Sequence, residues 1–280
     1  MLLITGASGR IGCRTAELLT SAGHRVRLTS RNPQSVPKLP GAEAIRADFS
    51  DTASLAPAFR GIATALIISG SGTPGARALT HRNAFEAAAR AQVHHVIYLS
   101  LQGASPSSKY PYSRDHYESE QFLAATGLPH TILRNSFYMD MFLDMFDSQG
   151  VIRGPAGEGR GAFISREDAA RSAAAALIAT PGGSHDVTGP EAVTIDQIAT
   201  RLSGIFSRRF RFENESEPVA RARMQKDSSP AGKIDLSVGW FEAIAAGELE
   251  RFSNTVTELT GRKPLSLEEY FKAFPGLHVQ

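Results

Sequence analysis

Thr5-Gly6-Ala7-Ser8-Gly9-Arg10-Ile11-Gly12 is the stretch on which the fold turns. The apolar run Leu2–Thr5 leads into it. Ile11, Thr15, Leu18, Leu19 and Ala22 then recur at helical spacing as far as a stop at Gly23. A strand, a glycine-rich turn and an amphipathic helix, in that order, are the context in which a glycine triplet signals a dinucleotide. Gly6 permits the sharp turn out of the strand, and Gly9 lets the backbone approach a pyrophosphate. Gly12 permits close helix–strand packing, and the helix N-terminus aims unpaired N–H groups at the anion. The bland alternative, a tight turn with no ligand, lacks a reason for this position in the chain.

The end of the second strand-like run bears on which dinucleotide. Users of NAD tend to place a carboxylate for the ribose 2′-hydroxyl about 20 residues beyond the glycine loop. Here that place reads Ser30-Arg31-Asn32. A guanidinium matches a 2′-phosphate bidentately, and such a charge-assisted contact is worth roughly 1.5–3 kcal/mol. The expectation is NADP, with NADPH preferred over NADH. Lys38 is a second candidate for the same phosphate.

Working outward, short β-like runs alternate with Ala-rich helical stretches through the first half, which predicts a parallel sheet with crossover helices. Ala42–Asp48, Ala63–Ser69, His95–Ser100 and His130–Arg134 follow as strands three to six. The expected fold class is α/β, a doubly wound parallel sheet (Rossmann fold) with a smaller, mainly helical C-terminal lobe. Residues 1–135 and 165–188 form the NADP-binding part, and 136–164 and 189–280 the substrate-binding lobe. In the second part, Ser136–Ser148 reads as a Met- and Phe-rich helix with Asp140, Asp144 and Asp147 on its solvated face. Gly150–Gly161 reads as a loose segment, and Ser266 with Glu269 as a capping box.

Composition narrows the field. Lys and Arg (30) nearly balance Asp and Glu (28), so nothing announces a polyanion partner. Arg208, Arg209 and Arg211 alternate with Phe210 and Phe212, better read as a strand with one wet face than as a nucleic-acid platform. The single cysteine, Cys13, rules out an internal disulfide. The histidines show no metal-ligand spacing, so no metal is expected. No apolar run is long enough for a membrane span, and the first residues do not resemble a signal peptide. The expected location is the cytoplasm.

With the glycine loop, Arg31-Asn32-Pro33, Asp48 and Leu133-Arg134-Asn135 in view, the chain resembles the NmrA-like atypical short-chain dehydrogenases, and most of all their quinone reductase and triphenylmethane reductase branch. The likeness extends through YLSLQGAS, HYESEQFL, LRNSFYMDMF and ISREDAARSAAAAL. The resemblance implies that Gly6, Ser8, Gly9, Arg10, Ile11 and Gly12 line the phosphate loop and that Arg31 meets the 2′-phosphate. It implies Asp48 and Phe49 at the adenine, Ser69 and Gly70 near the ribose, and Ser100, Asn135 and Phe137 at the nicotinamide. Carboxyl ends of parallel strands are where such ligands sit on geometric grounds as well.

One departure matters. Better-known short-chain dehydrogenases use Tyr-x-x-x-Lys, whereas this chain has Tyr112-Ser113-Arg114-Asp115-His116. Histidine is mostly neutral at pH 7 and helps a tyrosine less. Tyr112 and His116 are the catalytic candidates, with a structural alternative for His116 as a helix-surface residue beside Glu120. Tyr138 and Met141 are candidates for the pocket of a small hydrophobic acceptor such as a quinone, which takes hydride readily. The expected activity is NADPH-dependent reduction of such an acceptor, by a chain that is free to form oligomers. The alternative is a non-catalytic NADP(H)-sensing regulator that binds a protein partner.

Overall fold

The computed structural model describes residues 1–70 and 72–276. Its first half unfolds strand by helix: β1 (Leu2–Ile4), α1 (Arg10–Ser21), β2 (Val26–Ser30), β3 (Ala42–Arg46), α2 (Thr52–Phe59) and β4 (Thr64–Ile68). Then come α3 (Ala76–Arg90), β5 (His95–Leu101), α4 (Pro111–Ala125) and β6 (His130–Asn135). The chain next leaves for β7 (Val151–Gly154) and β8 (Arg160–Gly161). It returns through α5 (Arg166–Ala179) to β9 (Gly183–Val187).

Seven strands form one sheet in the order β3-β2-β1-β4-β5-β6-β9, with every neighbouring pair parallel. Both faces are covered, and the alternation shows in the burial. Ile4, Leu66, Ile97 and Leu133 belong to the core on one face, while Leu3, Ile67, Val96 and Tyr98 belong to the core on the other. Fully burying a side chain of this size contributes about 1.5–3 kcal/mol, so these short strands are held by their two-sided burial. Strand order reverses between β1 and β4, which opens a crevice at their carboxyl ends.

The second lobe is built from β10 (Val193–Thr194), α6 (Ile195–Phe206), β11 (Arg211–Asn214), α7 (Glu217–Lys226) and α8 (Ala231–Ala245), with α9 (Thr255–Thr260) and α10 (Leu267–Ala273) beyond. β11 pairs with β7 in parallel and β10 with β8 antiparallel. Phe142, Phe163, Trp240 and Phe241 centre its core. Val256 of α9 packs back into the core of the main sheet. The capping box at Ser266 and Glu269 is formed. Among the described residues, no helix is long and apolar enough to cross a membrane.

Several local readings need correction. Ser136–Ser148 is not an α-helix: residues 137–139 pair by backbone with Ile164, and only Met139–Asp144 winds, as a 3-10 turn. The segment is wedged between the lobes, so its apolar residues do not mark one stripe, and Asp140 is buried. Gly150–Gly161 contains β7 and β8. Its glycines serve close approach: a Cβ at Gly154 would meet the Phe241 ring at 2.3 Å, and one at Gly159 the Ile244 carbonyl at 2.3 Å. α3 begins at Ala76, after Gly75 with its φ of +83°.

Candidate functional site

The glycine loop takes the shape that a phosphate cradle needs. Gly6 lies at φ +60°, and a Cβ on Gly12 would meet the Gly6 carbonyl oxygen at 2.5 Å and the Ala7 Cα at 2.9 Å. α1 therefore seats directly on the loop. Its N-cap is Gly9, which offers no side-chain oxygen to the first turn. The N–H groups at that end stay available for an anion, and no acidic side chain in the first turn opposes one.

A groove of about 370 Å³ opens from this loop across the carboxyl ends of β1, β2, β3 and β4. It brings together Gly6, Ser8, Gly9, Arg31, Asp48, Phe49, Ser69 and Gly70, residues expected from the sequence to share one site. Arg31 is exposed on its wall and forms no ion pair among the described residues. The Asp48 carboxylate accepts from the Ser50 hydroxyl at 2.7 Å and the Ser50 N–H at 3.0 Å. Those bonds, with Arg31 and Arg46 nearby, hold its pKa below the usual carboxylate value. Lys38 lines a different hollow, bounded by Pro33, Pro37, Pro40 and β3, and stands away from Arg31's groove.

Ser30, Ser50, Ile68 and Thr80 also line the groove and were not singled out from the sequence. Ser30 donates to the Ser8 hydroxyl at 3.2 Å and lies 3.3 Å from that of Ser35, so a patch of hydroxyls borders Arg31. A hydroxyl next in sequence to Arg31 is the available signal for Ser30. Thr80 reaches the groove from α3, and nothing local marks it.

The remaining expected residues do not line this groove. Ile11 and Gly12 are buried under the loop. Arg10 swings to Asp140, its Nη1 donating to the carboxylate at 2.5 Å, and Arg166 donates to the same carboxylate at 2.7 Å. Arg166 in turn lies over the Tyr138 ring at 4.4 Å. Asn135 donates to the Tyr138 hydroxyl at 3.2 Å, and its own Oδ1 is buried without a partner. Phe137 packs between Tyr110 and Trp240, with ring centroids 5.3 and 5.5 Å away, and Met141 lies half-buried against the same aromatic core. The Ser100 hydroxyl donates to Glu120 at 2.5 Å, and Arg134 clasps that carboxylate through Nε and Nη2.

His116 is no surface residue. It is 6% exposed, with Nδ1 2.9 Å from the Tyr98 hydroxyl and Nε2 3.3 Å from Arg77 Nη2. Burial first, then Arg77 and His81, depress its pKa well below the ordinary value. The Tyr112 hydroxyl donates to the Gly72 carbonyl at 2.9 Å, and the Arg77 guanidinium lies 4.1 Å over its ring. Tyr112 thus reaches the turn after β4, whereas His116 contacts Tyr98, Arg77 and His81.

The residues present fit a pyridine dinucleotide carrying a 2′-phosphate. The uncapped helix N-terminus and close-packed glycines suit a diphosphate. A free guanidinium among hydroxyls, with no carboxylate bonded to it, suits a further phosphate.

The comparisons with known proteins agree with this geometry. A family model described as NAD(P)H-binding matches residues 6–180. Over 279 residues the chain is 32% identical to quinone oxidoreductase 2 of Escherichia coli, covering 96% of each. It is also 32% identical over 270 residues to the (4-alkanoyl-5-oxo-2,5-dihydrofuran-3-yl)methyl phosphate reductase of Streptomyces griseus, covering 94% of this chain and 93% of the other. Among solved structures, an NADPH-dependent quinone oxidoreductase of E. coli complexed with NADPH superimposes with a TM-score of 0.89 at 30% identity, over 98% of this chain and 99% of that one. The triphenylmethane reductase of Citrobacter shares the fold, with a TM-score of 0.86 at 24% identity over 98% of this chain and all (100%) of that one.

Proposed function

Since the chain belongs to the NAD(P)H-binding family and is an NAD(P)H-dependent oxidoreductase of the NmrA-like kind, we propose that it reduces a quinone or a similar conjugated, hydrophobic acceptor with NADPH. The observation that carries the reading is the groove itself, which unites an open glycine-loop helix end with an unpaired Arg31.

When bound there, NADPH supplies the hydride. The protein's part is to hold and orient. The α1 N-terminus and Gly9 receive the diphosphate, while Arg31 with Ser8 and Ser30 receives the 2′-phosphate. Phe49 and Asp48 flank the adenine, and Ser69 and Gly70 form the wall beyond it. Ser100, Asn135 and Phe137 border the nicotinamide end, and the orphaned Asn135 Oδ1 offers an acceptor to a carboxamide N–H. Tyr138 and Met141 contribute to the acceptor's apolar surroundings. Such a flat acceptor suits an aromatic and Met-lined surface.

Two-electron reduction of a quinone takes one hydride at the ring system and leaves an oxyanion that needs a proton. Hydroquinone oxygens take protons from water, so positioning carries most of the task. Tyr112, with its hydroxyl already donated to Gly72, and His116, buried and neutral, are then structural contributors. Two relatives that match nearly end to end are named as an oxidoreductase and a reductase, which favours turnover over cofactor sensing alone. Steady NADPH oxidation in the presence of small benzoquinones and naphthoquinones is the expected result. A folded protein that binds NADPH but is inert toward a broad quinone panel would overturn the assignment.

A further inference from the structure

A buried polar cluster lies behind the turn that follows β4, and the chemistry assigned above makes no use of it. Arg77 and His81 reach it from α3, and Tyr112, Asp115 and His116 from α4. Arg77 is 6% exposed and, among the described residues, has Asp115 only at 3.9 Å as a counter-charge and leaves Nη1 without a partner. Burying a guanidinium on such terms is costly, and apolar residues would serve stability better.

What the cluster does is grip backbone. The Gly70 N–H donates to His81 Nε2 at 3.1 Å, and Arg77 Nε donates to the Gly70 carbonyl at 3.0 Å. Arg77 Nη2 also donates to the Ser69 hydroxyl. Tyr112 donates to the Gly72 carbonyl at 2.9 Å, and Asp115 Oδ1 accepts from the Gly75 N–H at 2.8 Å. Because Gly70 donates to Nε2, the His81 proton sits on Nδ1, where it donates to the Ser119 hydroxyl at 2.8 Å. The i, i+4 spacing of Tyr112 and His116 brackets one guanidinium, with the tyrosine ring at 4.1 Å and the imidazole at 3.3 Å.

We propose that Arg77, His81, Tyr112 and Asp115 form a clamp that fixes Ser69 and Gly70 as the wall of the dinucleotide groove. They act as positioning residues, and the Tyr-x-x-x-His pattern is part of that clamp and not a proton-donating pair. The proposal rests on the reading of the groove as the NADPH site, because Ser69 and Gly70 line it.

The test uses the full chain and two variants, Tyr112→Phe and Asp115→Ala. NADPH binding is measured by calorimetry, amide exchange by glycine-selective labelling, and kcat against KM with a quinone. Loss of one net hydrogen bond from the clamp raises the NADPH Kd by about fivefold. The Gly70 amide, which neither variant touches directly, exchanges faster in both. At saturating NADPH, kcat for Tyr112→Phe falls by less than about threefold, whereas a lost general acid costs on the order of a hundredfold or more. Unchanged Kd and Gly70 exchange overturns the clamp, as does a hundredfold fall in kcat at unchanged Kd. Wild-type protein that fails to bind NADPH overturns the groove reading instead, and Gly70 exchange in nucleotide-free protein still decides the clamp.

Discussion

Arg10, in the glycine loop, donates to the carboxylate of Asp140, on the first turn of the crossover into the second lobe, at 2.5 Å. The pair ties the glycine loop to the segment that leads into the second lobe. Its two ends differ in environment, because the Arg10 side chain is 62% exposed and that of Asp140 is 2% exposed.

That difference predicts unequal mutational costs. Arg10→Ala removes a screened guanidinium while Arg166 still serves Asp140, so the loss is about 1 kcal/mol or less. Arg166→Ala removes the better-buried donor and its cover over Tyr138, and costs about 1.5–3 kcal/mol. Urea unfolding of both variants checks the order, and an equal or reversed order refutes the account.

The histidines behind the β4 turn predict an acid limit. Burial, reinforced by Arg77 on the same helix, lowers the His81 pKa from 6.5 to about 3. Tyr98 from β5, His116 and Ser119 from α4, and the Phe49 ring edge complete its surroundings. Between those two values the unfolded chain carries a proton that the folded chain refuses. Stability is therefore full above the unfolded value and falls as pH drops toward the folded one. At pH 4.5 the loss from His81 is about 2–3 kcal/mol. His116, shifted in the same direction, adds to it. Asp115 works the other way, since burial raises its pKa and the folded form gains its proton first. Urea unfolding at pH 7 and 4.5 should show the loss, and His81→Asn should reduce it, leaving the share from His116.

Glu120 and Arg134 give a third expectation. Glu120 is 3% exposed and takes two bonds from Arg134 and one from Ser100. Arg134→Met strands a buried carboxylate, at a cost of about 3–5 kcal/mol. Adding Glu120→Leu to that variant should recover much of the loss. Chemical denaturation of the single and double variants measures it, and strictly additive losses would contradict the pairing.

What was legible in the sequence followed from backbone rules. The glycine loop, the alternation of strands and helices, and the stop at Gly23 depend on local stereochemistry, so Gly6 and Gly9 are legible directly; Arg31 follows from the charge at the end of the second strand and Asp48 from the family resemblance, and all four line one groove. Asp140 falls on the solvated face of the expected helix, but the backbone there pairs with Ile164 and winds only as a 3-10 turn, which buries it. Arg77 sits in Ala76-Arg77-Ala78-Leu79, which reads as an ordinary solvated helix start. Its burial comes from α4 and the β4 turn closing over it, and no neighbour in sequence signals that. Leu79, two residues on, is 55% exposed, the reverse of what polarity alone would assign.

The proposed NADPH site assigns to Arg31, on the groove wall, the choice between the two pyridine nucleotides. Among the described residues no carboxylate bonds to it, and Ser8, Ser30 and Ser35 supply hydroxyls around its base. A charge-assisted contact of roughly 1.5–3 kcal/mol corresponds to a preference of about tenfold to a hundredfold for NADPH over NADH. Arg31→Glu replaces attraction for the 2′-phosphate by repulsion and offers a carboxylate to the 2′-hydroxyl. The ratio of kcat/KM for NADPH to that for NADH should fall by at least that factor, chiefly through the KM for NADPH. Arg31→Ala should fall partway, because it removes the attraction without adding the repulsion. A ratio unmoved by either substitution would place the selecting group elsewhere and remove the basis for reading this groove as a 2′-phosphate site.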